Sequence, residues 1–365
     1  MSEFVRRYSP EDRETVFEIM RGNFNRDLTI ENKLYFDWLE KLSGHDSPSD
    51  NGSLVVETDG RVTAYLSVIP CKFKIANQTI DTGFVFDVIS DPNKRGVGIK
   101  LLRKIVYSDF LHFGAPGLRV ETLWSKLAKN ETDNIVVDKL VKVISILDPN
   151  AFLMKKNLPL LLVNTVSNVW KTLLRVNVWI SSALKSSKGL VLSKQIDFPN
   201  DVDELWDEFC QDFYGIALKN KAFLDWRFSQ SPYQYQKLLL RKNHKLLGYL
   251  IYREGYINGR KDIVIVEAIA TGDKLVNYTL MLNYLFKEAL QSGISGIQTN
   301  LSGCPFFGQA LKSKWFVKRP ADTASIISNH SYYKHIEANE NTKQWFFSIA
   351  DSDFEFANFK LDISA

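Results

Sequence analysis

A seven-residue pattern occurs twice in this chain and constrains the fold more tightly than anything else in it. Asn32-Lys-Leu-Tyr-Phe-Asp-Trp38 returns as Asn220-Lys-Ala-Phe-Leu-Asp-Trp226, sharing Asn, Lys, Asp and Trp, with aromatic Tyr35 answered by Phe223. A lone heptamer carries little weight, but its surroundings repeat with it. A strand-like Phe4 to Tyr8 and a helix from Pro10 precede the first copy; Leu190 to Ile196 and a helix from Val202 precede the second. Each copy is followed by a hairpin. Leu54 to Leu66 alternates around an Asp59-Gly60 turn, a strong short-range hairpin signal, and Leu238 to Leu250 is its counterpart, with Asn243-His244 at the turn. Each hairpin leads to a further strand, Phe84 to Ile89 or Ile263 to Ala270, and then to a helix. At 365 residues the chain is too long for one ordinary core. The repeat divides it into a domain over 1–150, a linker over 151–189 and a second domain over 190–365.

The two copies differ where chemistry is expected. Asp87 to Leu102 reads as a strand, a glycine-bearing turn and an amphipathic helix, with Ile99, Leu101, Leu102, Ile105, Val106 and Phe110 at helical spacing behind Gly96 and Gly98. Glycine there allows left-handed dihedrals and close approach of a phosphate, and the amides of the helix start would point into the turn. The second copy has Thr271-Gly-Asp-Lys-Leu-Val-Asn277, with one glycine and an acid in place of the basic approach. Only the first half is expected to receive a diphosphate. Neither a completed G-x-G-x-x-G nor a P-loop G-K-[ST] is present, so the nucleotide-binding alternatives are poorer.

From Pro149 through Ile196 the joining segment has no Asp or Glu, whereas Lys155, Lys156, Lys171, Arg175, Lys185, Lys188 and Lys194 are basic. Within 158–184, Leu162, Val166, Val169, Leu173, Val176, Ile180 and Leu184 mark one helical face, and Asn164, Asn168, Lys171 and Arg175 the other. Two readings stay open. The apolar stripe packs on the domains, or the helix lies on anionic lipid as a peripheral membrane contact, with Trp170 and Trp179 near headgroup level.

Charge excludes little else: 46 basic and 42 acidic residues are too balanced for general nucleic-acid binding. Cys71, Cys210 and Cys304 form no CxxC pair, which argues against a zinc site and for a reducing cytoplasm. No histidine has metal-ligand spacing, so no metal is expected, and His112 and the other four read as surface or loop residues. The start MSEFVRRYSPEDRE has no apolar core of signal-peptide length.

Phe86 to Leu102 resembles the acetyl-CoA-binding core of the GCN5-related N-acetyltransferases, whose signature is [QR]-x-x-G-x-[GA] after a V-x-P strand end. Arg95, Gly98 and Lys100 fall on the three fixed positions, with Lys100 in place of the small residue. The order of elements extends the resemblance over roughly residues 4–146. Asn130 to Lys139 resembles the family's later helix, without its Gly-Phe ending and without the tyrosine often used as general acid. The implied fold is α/β, in the mixed-sheet α+β sense: two tandem acetyltransferase-like domains, each a central mixed β-sheet flanked by helices. The implied cosubstrate is acetyl-CoA. Its pantetheine arm and thioester carbonyl would be held by the amides of Val88, Ile89 and Ser90, and its diphosphate by those of Arg95, Gly96, Val97, Gly98, Ile99 and Lys100, with Asn130 from the later helix.

Acetyl transfer to an amine needs a neutral nucleophile, and an ammonium has a pKa of about 10, so a carboxylate or water chain must take a proton. Asp87 and Glu121, the latter in a predicted strand over Leu118 to Leu123, are the candidate bases. Either also reads as an ordinary strand acid, Asp87 facing outward and Glu121 paired with Arg119 or a lysine. Asp351 and Asp353, in an acidic turn after a predicted closing strand, are candidates to face a polar substrate. The expected function is acetyl-CoA-dependent N-acetylation of an amine, with an amino sugar of a surface-glycan pathway as acceptor. Two alternatives keep the fold: the Fem-like aminoacyl-tRNA-dependent transferases, which are also double, and a non-catalytic binding protein.

Overall fold

Both hairpins close on residues of positive φ, Asp59 (49°) and Gly60 (80°) in the first half and Asn243 (48°) and His244 (70°) in the second. Paired left-handed residues match the twist of the flanking strands, so the two turns fix the register of everything built on them. The computed structural model describes residues 2–351 apart from 25–28, 42–51, 109, 116–117, 130–134, 157, 184–188, 258, 321–323 and 329–344. The first half runs β1 (Glu3–Arg7), α1 (Arg13–Phe24), α2 (Thr29–Glu40), β2 (Leu54–Thr58), β3 (Arg61–Ile75), β4 (Gln78–Ser90), α3 (Val97–Val106), β5 (Leu111–Gly114), α4 (Leu118–Lys129), β6 (Ile135–Lys139) and β7 (Val141–Ile146). Then α5 (Asn150–Leu153) and α6 (Leu160–Ala183) lead into β8 (Leu190–Gln195), α7 (Val202–Phe209), β9 (Gly215–Leu218), α8 (Lys221–Leu224), β10 (Gln236–Lys242), β11 (Lys245–Ile257) and β12 (Arg260–Ala270). The second half ends with α9 (Lys274–Gln291), β13 (Gly296–Ser302), α10 (Pro305–Ser313), β14 (Val317–Arg319), β15 (Ala324–Ser328) and β16 (Trp345–Ser348).

Two mixed sheets result, ordered β1-β2-β3-β4-β5-β15-β6 and β8-β10-β11-β12-β13-β7-β14. They match place for place, and the match exposes a reciprocal exchange. β7, which follows β6 in the chain, pairs with β13 of the second sheet, while β15 from the second half takes the equivalent place beside β5. β9 and β16 join the sheets: β9 pairs with β3 and with β16, and β16 with β13. Apart from these joining strands, each sheet takes one strand from the other half of the chain, β15 in the first and β7 in the second.

The repeated heptamer lies on the line between the halves. Trp38 and Trp226 stack with ring centroids 4.7 Å apart and planes 8° from parallel. Trp38 Nε1 donates to the Trp226 carbonyl at 2.7 Å, and Trp226 Nε1 donates to the Trp38 carbonyl at 3.0 Å. Such reciprocity is the mark of a two-fold relation, in which one surface meets its own copy. Asn220 begins the second copy as a helix cap, its side chain accepting from Phe223 N at 2.9 Å.

Helix α3 packs Val97, Leu101, Leu102, Ile105 and Val106 onto the first sheet, in one buried cluster with Val56, Leu66, Val68 and Trp124. Burying side chains of this kind stabilises by about 1.5–3 kcal/mol each, which anchors the helix that starts at the glycine turn. Helix α6 departs from the packed-stripe expectation. Its buried residues are Val163, Ser167, Leu174 and Val178, with Trp170 partly buried, one position on from the stripe marked by Leu162, Val166, Val169 and Leu173 and hence about 100° around the helix. Polar anchors set that rotation: Ser167 and Lys171 bond Asp148, and Trp170 Nε1 donates to the Ile146 carbonyl at 2.7 Å. His112, expected at the surface, is buried in β5, where burial lowers its pKa to about 4 and keeps the ring neutral.

Candidate active site

β4 and β5 run side by side only from Thr82 to Phe84 against Leu111 to Phe113. Beyond that point β4 continues to Ser90 paired with β3 alone, so the two parallel strands part and leave a wedge. A register irregularity between Leu66 and Val68 of β3, opposite Val88 and Val85, falls in the same stretch; an extra residue there bends and twists the sheet. Val88, Ile89 and Ser90 thus lie along the open edge of the wedge.

The turn at the mouth is held from both sides. Asn23 Nδ2 donates to the Ser90 carbonyl at 2.7 Å, Asp91 N to the Thr63 carbonyl at 2.8 Å, and the Asp91 side chain accepts from Asn93 N at 2.9 Å. Gly96 sits at φ 84°, a conformation that L side chains avoid, although a Cβ added there would meet nothing within 4 Å. α3 begins at Val97, so the amides of Arg95, Gly96, Val97 and Gly98 precede or open the helix. None of them bonds an acceptor among the described residues. Four open amides at a helix N-terminus form an anion cradle. A Cβ on Gly98 would stand 3.8 Å from Ser90, in ordinary contact, so packing does not demand glycine there. Lys100 does not obstruct the cradle: its Nζ lies 3.0 Å from Glu3 Oε2 on β1. Ile99 is exposed.

Asp87 is buried on β4, and the Tyr35 hydroxyl donates to its Oδ2 at 2.8 Å. It does not face outward as a solvated strand acid. The register identifies its counterpart. Ser90 stands opposite Ala64 in the first sheet and Ala270 opposite Gly248 in the second; counting back from these, Asp87 corresponds to Glu267. Glu267 is also buried, but Lys219 forms an ion pair with it and the Tyr249 hydroxyl donates to it at 2.8 Å. Asp351 lies 2.9 Å from the same Lys219. Burial would lower the pKa of the Lys219 ammonium, yet Asp351 and Glu267 outweigh it and hold the group above its ordinary value. Asp351, expected to face substrate, is therefore occupied inside the protein. Asp353 lies outside the described residues.

The second turn is closed by its own acid. Asp273 caps α9, its Oδ1 accepting from Val276 N at 3.2 Å, and so puts a carboxylate at the helix start where the first half has Gly96. In sequence this acid is only a substitution; the cap shows what it does.

Glu121 needs correction. The strand beside β4 is β5, and Leu118–Lys129 is the helix α4. Arg-Val-Glu-Thr alternates enough to suggest a strand, but Val120, Trp124 and Leu127, which pack on the α3 cluster, recur at i, i+4 and i+7, a helical face. Residues 135–139, read by resemblance as the end of a later helix, form β6 and pair with β15. Asn130 lies outside the described residues.

A cleft of about 600 Å³ opens between the halves, lined by Cys71, Thr82 and Phe110 from the first and by Trp206, Lys219 and Phe223 from the second. Sequence reasoning missed Tyr35, Lys219 and the cleft. Tyr35 stands inside the repeat, and Lys219 immediately precedes its second copy.

No protein-family profile matches the sequence, and no curated protein resembles it in sequence. Solved structures do. A GCN5-related N-acetyltransferase from Anabaena variabilis superposes with a TM-score of 0.59 at 13% identity, covering 89% of this chain and 72% of the other. A conserved Enterococcus faecalis protein described as a probable N-acyltransferase gives 0.57 at 12% identity over the same shares of the two chains. Saccharomyces cerevisiae N-myristoyltransferase, solved with myristoyl-CoA and inhibitors, gives 0.51 at 10% identity over 90% of this chain and 79% of its own. This chain has the fold of the GCN5-related N-acetyltransferases.

Proposed function

We propose that the protein is an acyl-CoA-dependent N-acyltransferase, with acetyl-CoA as donor and an amine as acceptor, whose first half holds the donor and whose second half shapes the acceptor side. The observation that carries this reading is the asymmetry of two equivalent turns: the amides of Arg95 to Gly98 bond no acceptor among the described residues, while the cap of the equivalent helix is the carboxylate of Asp273, a group that repels a diphosphate. Open amides at a helix start suit a diphosphate, and the edge of β4 from Val88 to Ser90 offers backbone groups to the arm and thioester carbonyl, where polarisation aids attack. The donor supplies a thioester: the amine nitrogen bonds to its carbonyl carbon, the carbon–sulfur bond breaks, and the thiol is released.

Asp87 is the proposed proton acceptor, oriented by the Tyr35 hydroxyl, and it takes the proton that the amine must lose. Its counterpart Glu267 is engaged by Lys219 and the Tyr249 hydroxyl, which leaves Asp87 as the base for the donor site. The cleft between the halves is the proposed way in for the acceptor, with an amino sugar as the first class to screen. An aminoacyl-tRNA donor is disfavoured, because such transferases do not depend on a glycine turn of this kind.

Asp87→Asn is nearly isosteric and keeps an acceptor for Tyr35. It is expected to bind acetyl-CoA as the native protein does while losing about 10²–10⁴-fold in kcat, together with the acidic limb of the pH profile. Calorimetry and steady-state rates read the two separately. Near-native turnover would remove Asp87 as base, and a native protein that binds no acyl-CoA would remove the whole reading.

A further inference from the structure

We infer that the exposed face of α6 is a docking surface for an anionic lipid bilayer, on which the protein lies peripherally. This rests on α6 alone and is independent of the acyltransferase reading. The helix has 24 residues, about 36 Å at 1.5 Å per residue. Its buried face is turned toward the second half: Ser181 Oγ donates to Asn283 Oδ1 at 2.9 Å, Lys314 Nζ to Asn177 Oδ1 at 3.1 Å, and Trp170 packs on Trp315. The stripe of Leu162, Val166, Val169, Leu173, Val176 and Ile180 is left in solvent, each residue between 43% and 56% exposed. Leu161 at 82% and Trp179 at 71% flank it at opposite ends. Met154 and Leu158, also exposed, lie at the N-terminal approach to the helix, and exposed Leu160 opens it. An apolar face of this length along one helix is far more than scattered surface hydrophobes require.

Charge selects the occupant. The chain from Pro149 through Ile196 carries no acid, while Lys156 and Arg175 are exposed there. Among the described residues, Asp148 is paired with Lys171 and Glu288 with Lys194 of this segment. A second copy laid on the same face would bring like charges together, with no carboxylate from this segment to offset them. An anionic headgroup layer offers the complementary charge, and the acyl boundary takes the apolar stripe and Trp179. Among the described residues no helix is long and apolar enough to cross a membrane, so the geometry is that of a helix lying in the interface.

The test uses the full chain and vesicles of phosphatidylcholine, alone or mixed with phosphatidylglycerol. Co-sedimentation is expected with the mixed vesicles, weakened on raising salt, since surface charges are screened within about 10 Å at 0.1 M. Val169→Asp combined with Leu173→Asp is expected to cut binding at least about tenfold without changing the melting temperature, because both side chains are exposed. Circular dichroism confirms that the variant is folded. Absence of vesicle binding, or binding indifferent to the double substitution, overturns the proposal. So does a native dimer that the substitutions make monomeric.

Discussion

Gly98→Glu is expected to abolish acyl-CoA binding in a protein that folds as well as the native one. The structural half of that statement follows from the space around Gly98: the nearest atoms to an added Cβ belong to Ser90 at 3.8 Å, so nothing must move. Gly98 lies in the first turn of α3, where replacing glycine stabilises a helix by about 0.5–1 kcal/mol and a carboxylate near the N-terminus adds a few tenths. Thermal stability should therefore stay level or rise slightly. The binding half follows from charge. A carboxylate within about 4 Å of a diphosphate repels it by roughly 4 kcal/mol at the effective dielectric of a protein surface, about a thousandfold in affinity. It would also compete for the open amides, as the Asp273 carboxylate takes the Val276 amide of α9. Calorimetric titration of acetyl-CoA into both proteins, beside melting curves, separates the effects. Undiminished affinity in a folded variant would exclude the turn as the diphosphate site, while lost affinity with lost folding would contradict the space seen around Gly98.

What can be read in the sequence is what lies close together along it. The glycine turn, both hairpins and the strands behind them repeat within short windows, and the local chemistry of Asp59-Gly60 or Arg95 to Gly98 is sufficient to place them. Lys100 looks like an obstruction because a motif records positions without directions; its pairing with Glu3 on β1 is a long-range fact. The exchange of β7 and β15 is hidden for the same reason. A strand of alternating residues shows which of its faces is apolar and nothing about which sheet will take it. Two misreadings have a sharper cause. α4 reads as a strand because a few residues alternate, although the spacing of Val120, Trp124 and Leu127 carries the helical period. In α6 periodicity finds the longer apolar stripe, yet the helix buries its shorter one, since Asp148 and the Ile146 carbonyl anchor Ser167, Lys171 and Trp170 on that side. Polar anchoring can outweigh apolar area, because leaving such groups buried and unpaired costs more than leaving several aliphatic side chains partly in water.

The heptamer yields the second large effect. Trp38→Ala should lower unfolding free energy by about 3–5 kcal/mol, the cost of truncating a large buried aromatic side chain, because the lost ring is the partner of Trp226 and its Nε1 serves the Trp226 carbonyl. The reciprocal geometry makes Trp226→Ala its near equivalent. If the stack is one shared interaction, the double variant should fall short of the sum of the single ones by roughly 0.5–1.5 kcal/mol. The same contact should bind the halves into one cooperative unit, reinforced by the exchanged strands β7 and β15, so denaturant unfolding of the native chain is expected in one transition by fluorescence and circular dichroism alike. Two separated transitions, or additive losses, would show that the halves stand independently and that the repeat is a relic of sequence rather than a working junction. The effect should also reach the site. Trp38 lies against Tyr35 and Phe86, with ring centroids 5.7 and 5.8 Å away. Tyr35 is the donor to Asp87, so Trp38→Phe, which keeps an aromatic ring and loses the indole donor, is expected to lower kcat more than it lowers acyl-CoA affinity.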